Sequence, residues 1–169
     1  MGSRGVIYID LDLLDEAKIT LEESIALKEK KNDKIGEAFS LCGLGRIFSN
    51  SQSEIATNYY NKALEIFSSI GHLRGKATAL QGLGRIDLNK EKDDTALRFL
   101  NEALEIFRKI GDKYNSSDVV SDMGVILFRS GNTLKAKKFF QERIDYLEAI
   151  GHEHIDSYRR LVRQYSDSK

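Results

Sequence analysis

Arg46 and Arg85 each follow Gly-Leu-Gly and precede isoleucine, in GLGRI blocks at 43–47 and 82–86 that stand 39 residues apart. Two guanidinium groups on one wall could grip a carboxylate or a phosphate, because the planar fork donates two parallel hydrogen bonds to such groups. With Arg74 added, the ligand this set suits is an acidic segment of a protein partner. The competing reading pairs each arginine with an acid on an adjacent helix, and the residues alone leave both open.

The other reactive groups do not assemble into a site. His152 and His154 form an HxH pair, but no cysteine accompanies them, and a zinc site needs further ligands. Cys42, the single cysteine, lies between Leu41 and Gly43 and reads as a small packing residue, since a reactive thiol needs a neighbouring base. Asp93-Asp94 and Glu22-Glu23 fall at helix starts or on second helices, where acids favour the dipole or water. The GLG tripeptides lack the third glycine and the preceding strand of a dinucleotide site. The expectation is therefore no catalytic residue, no metal and no cofactor, which makes the chain non-enzymatic.

Charge narrows the partners further. The 169 residues carry 26 basic and 26 acidic side chains, so no global field draws the chain to nucleic acid or to an anionic membrane. There is no apolar run of about 18 residues to span a bilayer. One cysteine allows no intrachain disulfide, which favours a reducing, cytoplasmic setting.

A repeat must position these residues. Gly5, Gly45, Gly84 and Gly124 stand 40, 39 and 40 apart, and KALEIF at 62–67 returns as EALEIF at 102–107. A period of this length marks a solenoid of stacked units. Apolar residues at helical spacing predict helices at 12–30, 34–49, 53–69, 72–89, 93–110, 112–129, 133–150 and 153–165. Gly71, Gly111 and Gly151, with Asn32 in the earlier unit, fall where a left-handed residue would close the second helix of each unit. A mid-helix glycine costs about 1 kcal/mol relative to alanine. Its recurrence predicts a close helix crossing, with Ala17, Ala56, Ala96 and Ala136 on the facing helix.

This pattern resembles the tetratricopeptide repeat. Leu41, Leu44-Gly45 and Phe48 match its first helix, as do Leu80, Leu83-Gly84 and Asp87, and then Val120, Met123-Gly124 and Leu127. Ala56, Tyr60 and Ala63 match its second helix, as do Ala96, Leu100 and Ala103. Ala136 and Phe140 also fit, whereas Arg143 departs from the expected alanine. The 40-residue period is similar to that of repeats in polarity scaffolds and bacterial signalling regulators.

The resemblance implies an all-α fold, a right-handed α-solenoid of antiparallel helix pairs. The whole of 1–169 then reads as one array: an incomplete repeat at 4–31, repeats at 32–70, 71–110 and 111–150, and a polar capping helix within 151–169. Gly5 leaves only a stub of first helix, Arg4 to Leu11. On that ground the chain reads as part of a longer protein, and the alternative function is an oligomerisation or regulatory segment of a larger signalling protein, self-associating through the truncated N-terminal end at Val6–Leu11.

The resemblance also implies that first helices line a concave groove for a peptide. The inward positions are Phe39, Cys42, Arg46 and Asn50; then Arg74, Thr78, Gln81, Arg85 and Asn89; then Tyr114, Asp118, Ser121, Val125 and Phe128; and Tyr158 on the capping helix. Cys42 and Gly82 stand where a chaperone-type carboxylate clamp would need lysine and asparagine, so that clamp is not expected.

Overall fold

The computed structural model describes residues 14–167, with side chains from 15 to 163. Gly5, the Arg4–Leu11 stub and the Val6–Leu11 surface expected to self-associate lie outside the described residues. Eight helices and no strand occur among the described residues: α1 (Leu14–Lys30), α2 (Lys34–Phe48), α3 (Ser53–Ser69), α4 (Leu73–Asn89), α5 (Asp93–Lys109), α6 (Lys113–Arg129), α7 (Thr133–Ala149) and α8 (Ile155–Asp167). Turns of three to five residues join them, short enough to make sequential helices within a unit antiparallel neighbours.

Local chemistry explains where these helices begin and end. The first helices start on equivalent caps. Asp33 accepts from the Gly36 amide at 2.9 Å, His72 Nδ1 from Gly75 at 3.0 Å, and Asp112 from Asn115 at 3.1 Å. Each cap satisfies a donor that the helix start leaves without a partner. The second helices end, as expected, on left-handed residues: Asn32 (φ 55°), Gly71 (69°), Gly111 (72°) and Gly151 (62°). The turns after α4 and α6 hold left-handed residues too, Glu91 and Gly131. The turn after α2 has none, and α2 is 15 residues long where α4 and α6 are 17. The turn itself is four residues long where those after α4 and α6 are three, so the 39-residue spacing comes from a first helix that ends two residues early, without the left-handed bend.

Contacts divide the chain into two compact units, Met1–Ile106 and Phe107–Lys169. In the first unit α1 packs on α2, α2 on α3 and α3 on α4, and the two first helices α2 and α4 touch. The core gathers Leu41, Cys42, Tyr60, Phe67, Leu83 and Ile86 around the small residues Ala38, Ala56, Ala63 and Ala79. Tyr60 shows what the recurrent glycines do. A Cβ on Gly45 would lie 2.8 Å from its ring, and a Cβ on Gly82 would collide with the opposite edge. One aromatic ring is thus seated between glycines of successive first helices. Leu21 takes the equivalent place against Gly43, and Leu100 lies over Gly84. The expected close crossing is present, and its occupant is the bulky residue four positions beyond each alanine.

In the second unit α6 packs on α7 and α7 on α8. Phe140 lies against Gly124, where an added Cβ would stand 2.7 Å from the ring. Val119, Val120, Ile126 and Leu147 are buried with Phe140.

Candidate functional site

In the first unit, α2 and α4 form a wall that carries exposed Phe39, Arg46, Arg74, Arg85 and Asn89. Burial pushes the Tyr60 phenol up and Cys42 adds to the effect, while a hydrogen bond with Ser49 and the charges of Arg85 and Arg46 act the other way. Both guanidinium groups are therefore within electrostatic reach of one hydroxyl. Arg46, Arg74 and Arg85 each have further interactions within the chain. Phe39 packs edge-on against Phe67 at 4.9 Å between ring centroids and against His72 at 5.6 Å. Its exposed edge is thereby held in a fixed place.

Other positions on this wall are arranged differently. The half-buried Thr78 donates its hydroxyl to the Arg74 carbonyl at 2.9 Å. Asn50 falls in the turn after α2 and not on the helix. Cys42 (7% exposed) and Gln81 (6%) are buried. Burial pushes the Cys42 thiol up to about 12, which keeps it protonated and inert at neutral pH.

The second unit carries Tyr114, Asp118, Ser121, Val125 and Phe128 on α6 and Tyr158 on α8. Several of these engage one another through a residue that sequence reasoning noted only as a departure. Arg143 on α7 is 6% exposed. It pairs with Asp118 at 3.2 Å, donates to the Tyr114 carbonyl at 3.0 Å and to Ser117 Oγ at 2.8 Å, and lies 4.7 Å from the centroid of the Tyr114 ring. Its place in a row that otherwise holds the small residues Ser24, Ala63 and Ala103 was the available signal. Ser121 and Tyr158 share a 2.6 Å hydrogen bond that ties α8 to α6. Val125 and Phe128 are half-buried. On α8, Arg159 pairs with Glu148 and with Asp156, which gives this helix a polar surface.

Among the described residues no cluster of three or more His, Cys, Asp or Glu is arranged to hold a metal ion. Nor is any helix there long and apolar enough to cross a membrane.

Hairpins with recurrent glycines and small-residue crossings agree with the comparisons to known families. A tetratricopeptide repeat model matches residues 50–109, and a second model of the same description matches residues 1–31. The chain belongs to the tetratricopeptide repeat family. Proteins built from tetratricopeptide repeats are protein–protein interaction scaffolds, and at that level this chain is one. No curated protein matches it. Among solved structures, the crystal structure of BtubC (BKLC) from P. vanneervenii is similar, with a TM-score of 0.57 at 15% identity, over 99% of this chain and 91% of that one. At that identity the likeness is one of fold.

Proposed function

We propose that the tetratricopeptide wall of α2 and α4 binds an acidic, extended segment of a partner protein in a concave groove, with a reducing, cytoplasmic setting. The observation that carries this reading is that Arg46 and Arg85 are exposed at equivalent positions of two first helices that touch each other. Helices in contact lie about 8–10 Å apart. Two guanidinium groups at that spacing suit carboxylates on neighbouring side chains of an extended peptide. Phe39 supplies an apolar contact beside them, and Asn89 can supply hydrogen bonds.

The test is titration of a labelled Asp/Glu-rich peptide into the protein, followed by fluorescence anisotropy. Arg46→Ala with Arg85→Ala weakens binding about tenfold or more, and raised salt weakens wild-type binding. Equal affinity in the double variant, with its helix content intact by circular dichroism, rules the reading out. Concentration-dependent mass without peptide binding points to self-association instead.

A further inference from the structure

A cleft of about 510 Å³ opens between α1, α2 and α3, within the first unit. Its α2 residues are Glu37, Leu41 and Leu44, spaced four and three apart along one stripe. Phe39 and Arg46 stand two residues on from Glu37 and Leu44, about 200° around the helix at 3.6 residues per turn. The cleft therefore lies on the face of α2 opposite the arginine wall.

The floor of the cleft is apolar and includes Ile25, Leu41, Leu44, Tyr59 and Ile66. Four carboxylates, those of Glu22, Glu29, Glu37 and Glu65, line it against the single cation of Lys62. Lys18 stands 4.0 Å from Glu22, and Lys34 holds Glu37 at 2.8 Å. Among the described residues Glu65 forms no ion pair, and Glu29 feels the charge of Lys34 without bonding it directly.

The next hairpin supplies an internal control. Its equivalent floor positions, Leu64, Leu80, Leu83, Phe99 and Ile106, are again apolar, so the floor follows from repeat packing. Of the four acids only Glu65 repeats, as Glu105. Asn61, Ser68 and Lys76 stand where Glu22, Glu29 and Glu37 stand in the cleft. Lys76 pairs with Glu102 at 2.7 Å, closing the positions that Glu37 and Lys62 leave unpaired with each other. The three acids Glu22, Glu29 and Glu37 are thus a property of this cleft and not a requirement of the hairpin fold.

From this charge complementarity we infer that the cleft is a second docking site, opposite in sign to the arginine wall, for a Lys/Arg-bearing amphipathic segment of a partner protein. Concavities of about 300–1,000 Å³ hold a few side chains. Lysine and arginine stems pack on apolar surface while their heads reach acids at a rim. The apolar floor is what favours a segment over a small polycation, because it calls for side chains that spermidine lacks.

The probe is a labelled peptide of alternating leucine and arginine, measured by anisotropy against its leucine–glutamate counterpart and against spermidine as competitor. The full chain binds the basic peptide. Glu29→Gln with Glu65→Gln weakens that binding about tenfold, because it removes the two lining carboxylates that no side-chain cation bonds directly. Arg46→Ala with Arg85→Ala leaves the binding unchanged, which separates this site from the acidic-peptide reading. The inference is overturned by no binding of the basic peptide, by equal binding of the leucine–glutamate peptide, by spermidine displacing the peptide at equal concentration, or by unchanged affinity in the glutamine variant.

Discussion

The Arg143 guanidinium lies 3.2 Å from the Asp118 carboxylate, at a repeat position that holds small residues elsewhere (Ser24, Ala63, Ala103). A buried charge at a small-residue position is stable only with its hydrogen-bonding capacity met. The Tyr114 carbonyl, Ser117 and Asp118 meet it here, and the Tyr114 ring stacks above.

Removing either partner should therefore hurt more than the repeat pattern implies. Arg143→Ala installs the residue found at this position in the two preceding hairpins, yet it takes the guanidinium away from Asp118 and opens a void. We expect a loss of about 2–4 kcal/mol in urea unfolding. Adding Asp118→Asn to it should cost less than the sum of the two single changes. Full additivity would show that the two groups act independently.

Gly82→Ala places a methyl group in the Tyr60 ring and should destabilise the first unit by about 1–3 kcal/mol. Tyr60→Leu, which installs the residue type found at Leu21 and Leu100, should recover part of that loss in the double variant. Thermal melts of the four proteins decide it. Failure of the leucine to help would mean that the strain lies elsewhere.

Tyr158 gives a pH dependence. Burial raises its phenol from 10.0 to about 12; the Ser121 bond and Arg143 oppose the rise, and Asp118 and Asp122 add to it. The unfolded chain releases this proton before the folded chain does. The stabilisation is therefore complete below pH 10 and is lost as pH climbs towards 12. Comparing tyrosinate absorbance of wild type with Tyr158→Phe should reveal one late-titrating phenol, with α8 loosening as it ionises. A difference spectrum centred at the ordinary tyrosine value would contradict this.

The hairpins were legible in the sequence because glycine and alanine recur with one period and apolar residues keep helical spacing. Helix ends were legible for the same reason, and each boundary falls within two residues of its expected place. The side-chain partners were harder to read. The recurrent glycines pointed to a crossing, but the pattern could not say that Tyr60 fills it from between two helices. Cys42 and Gln81 shared the spacing of exposed groove positions, yet neighbouring helices cover both. A helical wheel carries no knowledge of the next hairpin. Arg143 stood out by type, but its partners Tyr114, Ser117 and Asp118 come from another helix and become visible only when that helix is packed against it.

The ring of Tyr60 also bears on how such a chain can change over generations. A hairpin copied or exchanged within the gene carries its own aromatic residue but only one of the two glycines that accommodate it. The other must already be present in whatever follows the junction. Crossovers that keep Tyr60 together with Gly45 and Gly82 preserve a working seam, and a cut between residues 60 and 82 preserves it only when the incoming sequence brings a glycine of its own.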